Sequence, residues 1–401
     1  MVTAKMLNRK RGKTMENFTY CTPTKLIFGK DAVKKLPKAL KPYGTRVLLT
    51  YGGGSIKKMG LYDEVKKLLE GFEVYELSGI APNPKYNPSV LEGVRLCKEH
   101  KIDVVLAVGG GSVLDCSKAI CAGACYEGEP WDLITYRVKA KEALPLVDIL
   151  TLAATGSEYD SGCVISRTET NDKVGYLDEL LYPRVSILDP RYTFSVSKKQ
   201  TAAGTADAIN HVMEQYFCGV HTTLSDGMCE TVIKSLIENV KVALEEPDNY
   251  DARAELMADC SLACNGILAI GNSPSGWPLH GMEHALSAYY DITHGEGLAI
   301  LTPRWMKYIL NEKTVERFVN FGEHIFGIDA SLPDFEIAEK TIDKIYSLFE
   351  TMGIPMHLKE VGIDESGLSE MAHHIAENEG LENAWAPLKE EDILAILKAS
   401  L

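Results

Sequence analysis

The chain has 401 residues, 45% of them hydrophobic and 24% charged, the make-up of a folded globular chain and not of a disordered one. Two or three domains are expected at that length. Forty-two basic residues against fifty-six acidic ones leave a net charge of −14, which excludes general affinity for nucleic acid or for anionic membrane surfaces. The longest apolar stretches, such as 144–154, are too short or too interrupted to span a bilayer, so no membrane partner is expected.

The first fourteen residues are basic and mostly polar. They read as a loose tail ahead of a start near Met15. From there the chain alternates. Strands are predicted at 46–51, 72–77 and 104–108, and helices at 56–69, at 88–101 and from Val113 onward. Shorter apolar runs lie at 146–152 and 185–188. Strand, glycine turn and helix, repeated, give a parallel sheet wrapped by crossover helices, a Rossmann-like α/β arrangement. Past about Ser195 the texture becomes helical, with helices predicted at 200–216, 224–244, 252–269, 277–290, 315–325, 336–352 and 390–401. The expected division is an α/β domain at 15–195 and an all-α domain at 196–401. The ten cysteines show no CxxC pair, and Cys121/Cys125 and Cys260/Cys264 are only CxxxC. They read as buried thiols of a cytoplasmic protein.

Two glycine turns follow strands. Gly109-Gly110-Gly111-Ser112 opens a helix whose free N–H groups and dipole suit a pyrophosphate, and Ser112 with Asp115 fits an S-x-x-D capping arrangement. Gly52-Gly53-Gly54-Ser55 takes the same position earlier in the chain. Either turn alone is equally a tight strand-to-helix connection. Two at one edge of a parallel sheet fit a dinucleotide across the strand ends. Neither is a G-x-G-x-x-G pattern. The second turn carries no acid to hold a ribose 2′-hydroxyl, and Ser55, Lys57 and Lys58 suit a 2′-phosphate, which favours NADP over NAD.

The strongest chemistry lies in the helical half. Asp207 and His211 are one helical turn apart, as are His280 and His284, and His294 follows ten residues later. One carboxylate with three or four imidazoles and no thiolate suits Fe2+ or Zn2+, with a position left for a substrate oxygen. His100, His221, His324, His357, His373 and His374 lack such company.

Gly-Gly-Gly-Ser-Val-Leu-Asp-Cys-Ser-Lys at 109–118, Thr155-Gly156-Ser157-Glu158, Asp207-x-x-x-His211, and His280-x-x-x-His284 with His294-Gly295 resemble the iron-containing alcohol dehydrogenase family, from about Phe18 to the C-terminus. Within it, the segments at 51–58 and 283–295 are most similar to butanol dehydrogenases and broad-range aldehyde reductases. The resemblance implies a dehydroquinate synthase-like architecture, hydride transfer between NAD(P)H and a short-chain aldehyde or primary alcohol, and a homodimer. It also implies Asp207, His211, His280 and His294 as metal ligands, with His284 beside the nicotinamide; His284 or a water held near it is the candidate proton relay. Gly53, Gly54 and Ser55 belong to the turn that carries the nucleotide reading. Gly110, Gly111, Ser112 and Asp115 would line the cofactor cleft, with Asn83, Thr151, Thr155 and Lys173 as further contacts. The chain departs from the family at Leu152, where a threonine hydroxyl is usual. The alternative is a metal-dependent lyase or cyclase of the dehydroquinate synthase kind. That site needs several lysines and arginines near the metal, and 200–300 offers only Lys234, Lys241 and Arg253, none near a ligand in sequence.

Overall fold

The structure, a computed structural model, describes residues 15–401, so the basic tail expected at 1–14 lies outside the described residues. Six strands form one sheet: β1 Lys25–Phe28, β2 Arg46–Tyr51, β3 Glu73–Leu77, β4 Val104–Gly109, β5 Leu146–Leu150 and, after a hairpin, β8 Val185–Leu188. Their order is β1-β8-β5-β4-β2-β3, and every neighbouring pair is parallel. The central strands are buried on both faces, which is why they read as near-continuous apolar runs, interrupted only by the buried Thr50, Asp148 and Ser186, and not as alternating ones. Leu48, Val105 and Ile120 pack in one layer, and Leu49, Val104 and Leu106 in the other.

The strand order fixes where a ligand can lie. The chain leaves β2 toward β3 on one side, then crosses back to β4 and continues to β5 on the other. The connections from the carboxyl ends of β2 and β4 therefore part in opposite directions and leave a crevice at the switch point. Both glycine turns sit there: Tyr51 pairs with Val108, so the segments starting at Gly52 and Gly110 emerge side by side.

Several boundaries differ from the sequence reading. The helix predicted at 56–69 is two, Ser55–Lys58 and Leu61–Leu68, because the chain passes through a left-handed Gly60 with φ 81°. The helix expected from Val113 starts at Gly111 and runs to Ala124. The one predicted at 252–269 is Tyr250–Ala263. β1 had no prediction, nor did the antiparallel hairpin β6 Gly162–Arg167 and β7 Asp172–Leu177. That hairpin lies outside the main sheet, packed on the Gly111–Ala124 helix and on Pro278–Tyr290.

The second half contains no strand among the described residues. Lys198–Tyr216, Thr223–Glu245, Pro278–Tyr290, Val315–Phe326, Asp334–Thr351 and Glu390–Ala399 are helices where the spacing predicts them, and His294–Ile309 and Leu368–Asn378 are two more. Ile209, Met213, Leu279, Met282 and Leu298 share one continuous core. No helix is long and apolar enough to cross a membrane.

Candidate metal centre and nucleotide crevice

The Lys198–Tyr216 helix begins at Ser197, whose Oγ accepts from the Gln200 N–H at 3.2 Å. It is buried on every side from Thr201 to Tyr216, so Asp207 and His211 sit inside the helical core and not on a solvated face. Pro278–Tyr290 starts with proline at its first position, directly after Trp277, which is held at φ 47°. Asp291, also left-handed, ends it, and His294 opens the next helix. Gly295 lets that helix cross Lys198–Tyr216 at backbone contact: a Cβ there would lie 1.9 Å from the Ala203 carbonyl oxygen.

These crossings bring four predicted residues together. The Nε2 atoms of His211, His280 and His294 lie 3.5, 3.7 and 3.6 Å from one oxygen, Asp207 Oδ1. Those separations are too long for hydrogen bonds. Asp207 Oδ1 and His280 Nε2 are buried with no hydrogen-bond partner. Two donors each about 2.1 Å from a tetrahedral ion lie about 3.4 Å apart, so the spacing and the orphaned atoms fit a shared divalent cation. The His211 and His280 rings stack with centroids 4.6 Å apart, and Trp277 meets His280 edge-on at 5.1 Å. His284 stands apart from this set, stacked on His294 at 5.8 Å and half-buried.

Two carboxylates that the sequence reading missed complete the surroundings. Glu214 Oε2 hydrogen-bonds His280 Nδ1, and its Oε1 accepts the Leu279 N–H at 2.6 Å. Glu283 Oε2 hydrogen-bonds His294 Nδ1. The signal was available: Glu214 is three residues after His211, and Glu283 three after His280, the spacing that keeps a residue on the ligand face. Glu283, His284 and His294 form a second group with metal-like spacing, but the Lys173 ammonium lies 3.2 Å from Glu283 Oε2 and 3.4 Å from His294 Nδ1, so a cation already fills that corner.

Charge follows from these contacts. Burial pushes the Asp207 carboxyl up, but His211, His294 and His280 outweigh it and hold it below its ordinary range. Burial takes the His211 imidazole down to about 3 against the pull of Asp207. Burial also opposes charge on His280, yet Glu214 and Asp207 lift it to about 9. Burial, with Lys173 and His294 close by, holds His284 well below its usual value, so its ring is neutral.

Of the predicted nucleotide residues, those on the loops after β2, β4 and β5 lie at the switch-point end of the sheet. Gly53, Gly54 and Ser55 follow β2, with Gly53 and Ser55 exposed. Gly110, Gly111 and Ser112 follow β4. A Cβ on Gly111 would come within 2.5 Å of Thr155 Oγ1, and Leu152, the departure from the family, packs over Gly110. Thr151 follows β5 and its N–H donates to Gly109 O at 2.9 Å, and Thr155 Oγ1 accepts the Ser157 N–H at 3.2 Å. Asp115 corrects the capping expectation. The helix cap is Gly110 with no side-chain bond, and Asp115 instead accepts from Ser157 Oγ at 2.6 Å and from the Val164 N–H at 2.9 Å, because the hairpin that the sequence reading lacked packs against it. Its burial there raises the carboxyl to about 6. Asn83 reaches across to the helical half, donating to Asp291 Oδ1 at 3.0 Å and Ile292 O at 3.3 Å, and Lys85 pairs with Asp291 at 2.9 Å. Lys173, expected at the cofactor, is buried against Glu283.

A parallel sheet with a crevice at its switch point, joined to a buried carboxylate–imidazole cluster in a helical half, defines a class that the comparisons name. The profile of the iron-containing alcohol dehydrogenase family matches residues 23–190, and that of the Fe-containing alcohol dehydrogenase C-terminal family matches 201–401. The chain belongs to this family of oxidoreductases. It is 47% identical to NADH-dependent butanol dehydrogenase A of Clostridium acetobutylicum over 390 residues, 96% of this chain and 100% of that one. It is 38% identical to the NADPH-dependent aldehyde reductase YqhD of Escherichia coli, over 91% of this chain and 94% of that one. The crystal structure of NADH-dependent butanol dehydrogenase A from Thermotoga maritima superposes with a TM-score of 0.92 at 39% identity, covering 96% of this chain and 99% of that one.

Proposed function

We propose that the protein reduces short-chain aldehydes such as butyraldehyde to primary alcohols with NAD(P)H, and runs the reverse oxidation. The observation that carries this is the convergence of three imidazole Nε2 atoms on Asp207 Oδ1, tied to the crevice half through Asn83, Lys85 and Lys173. Asp207, His211, His280 and His294 would hold Fe2+, and the same donors accept Zn2+. When bound, the ion supplies a Lewis acid to the carbonyl oxygen and the nicotinamide supplies the hydride. The product oxygen also needs a proton. His284, or a water held near it, is the relay: a neutral imidazole carries one donor and one acceptor nitrogen, and this ring stacks on the ligand His294. A dinucleotide-binding unit at 15–195 and a metal-binding unit at 196–401 divide the work and shelter the reactants between them.

Gly53, Gly54, Ser55, Gly110, Gly111 and Ser112 would cradle the pyrophosphate on backbone N–H groups, with Thr151, Thr155 and Asn83 at the border and Asp115 bracing the loop through Ser157. Exposed Ser55 and Lys58, with no acid in the turn, support NADPH. NADH is the second reading. Lys57 lies 5.0 Å over the Tyr51 ring and 4.7 Å over Tyr62, and both hydroxyls donate to Glu76, so an acid that the turn itself lacks stands next to it. A homodimer in a reducing cytoplasm completes the proposal, in keeping with ten free thiols, seven of them buried.

The test is direct. The purified protein, loaded with Fe2+ or Zn2+, should consume NADPH or NADH on addition of butyraldehyde, followed by absorbance. No turnover with any short aldehyde, with either nucleotide and either ion, overturns the reading. The lyase alternative required several basic groups at the cluster, and among the described residues only Lys173 contacts the side chain of a proposed ligand.

A further inference from the structure

The β6–β7 hairpin belongs to the strand-rich half in sequence, yet it delivers one buried charge to the other half. Lys173 on β7 is 4% exposed and its ammonium lies 3.2 Å from Glu283 Oε2. Glu283 is fully buried, and its oxygens are committed: Oε2 to His294 Nδ1 and to Lys173, Oε1 to Ser287 Oγ. An anion so buried persists only with compensating charge and hydrogen bonds, and Lys173 supplies the charge. The consequence falls on His294. Its Nδ1 hydrogen-bonds the Glu283 carboxylate, a closer partner than the Lys173 ammonium at 3.4 Å, and therefore carries the proton, which leaves the lone pair on Nε2, the nitrogen 3.6 Å from Asp207 Oδ1.

We propose that Glu283 is a positioning residue that locks His294 in the tautomer and ring orientation able to bind a metal through Nε2, and that Lys173 holds Glu283 in place. The centre in the helical half is then finished by a strand of the other half. This rests on the reading of Asp207, His211, His280 and His294 as ligands.

The experiment measures ion binding and not turnover. Co2+ is titrated into the full-length apoprotein in competition with a chelator, and the visible spectrum of bound Co2+ is recorded, for wild type, Glu283→Ala, Glu283→Gln, Lys173→Met and Ser287→Ala. Glu283→Ala is expected to weaken Co2+ binding by about 10–100-fold and to shift the spectrum. Glu283→Gln, which keeps an acceptor for Nδ1–H, should recover part of the loss, and Lys173→Met should weaken binding less than Glu283→Ala does. Ser287→Ala touches the same carboxylate but not the imidazole, and should weaken binding less than Glu283→Ala does. If Glu283→Ala does not fold, the Gln and Met variants carry the test. Wild-type affinity and an unshifted spectrum in the Glu283 and Lys173 variants overturn the inference while leaving the ligand reading intact. A wild-type protein that binds no Co2+ overturns both.

Discussion

The Cα of Gly295 sits so close to Ala203 that a side chain has no room, since a Cβ would lie 1.9 Å from the Ala203 carbonyl oxygen and 2.6 Å from its carbon. Backbone cannot yield as a flexible side chain can. Gly295→Ala should therefore push the two helices apart at the step that carries Asp207 on one and His294 on the other. The expected cost is about 1–3 kcal/mol or more in stability, read as a lower denaturant midpoint, together with reduced metal content after purification. A variant with wild-type midpoint and metal content would show that the crossing tolerates expansion.

His280 and His284 share one helix face but have different neighbours. His280 meets Asp207 and Glu214, whereas His284 lies against His294. His280→Ala should abolish metal retention. His284→Ala should keep the metal and lose about 100-fold or more in kcat. Elemental analysis and steady-state kinetics on the same preparations distinguish the two, and equal loss of metal from both variants would refute the division of roles.

Glu158 is buried, with Ser261 Oγ donating to its carboxylate. Burial raises its carboxyl from an ordinary 4.5 to about 7. A folded value above the unfolded one means that this group adds stability below about pH 4.5, and that the contribution is lost as pH rises through about 7. Glu158→Gln keeps the acceptor for Ser261 and removes the titration. Its stability relative to wild type should climb between pH 5 and pH 8, by an amount on the order of 3 kcal/mol in total. Parallel unfolding curves for both proteins over that range would contradict the burial argument.

Lys58 is exposed and not committed to Tyr51 and Tyr62 as Lys57 is. If Lys58 meets a 2′-phosphate, Lys58→Ala should raise KM for NADPH about tenfold and leave KM for NADH within twofold, the effect expected from one charge-assisted contact. Equal KM values for NADPH in variant and wild type would instead favour the NADH reading.

Much of this was legible in the chain. β2, β4, β5 and β8 are mostly apolar runs of the kind a doubly covered parallel sheet buries, and the four-residue spacings of Asp207/His211 and His280/His284 place each pair on one helix face. What was missed has physical reasons. β1 is four residues long at the sheet edge, too short for a periodic signal. The β6–β7 hairpin is half polar, and distant contacts with Asp115 and with the Pro278–Tyr290 helix hold it in place. His294–Ile309 carries Gly295 and Gly297 in its first turn and Pro303 inside it, breakers by local propensity that tertiary packing overrides. Glu214 and Glu283 look like the solvated acids of ordinary helices until their burial is seen. Asp115 was placed on the correct helix but given the wrong partner, because that partner comes from the unpredicted hairpin.

The cluster also has a mechanical meaning. Asp207 and His211 come from one helix, His280 from a second and His294 from the start of a third, so an ion at their centre would act as a clip joining segments far apart along the chain. A cross-link present only in the folded state favours that state in proportion to its occupancy. Heat resistance of this protein should thus be set by the metal supply of its surroundings as much as by its own core.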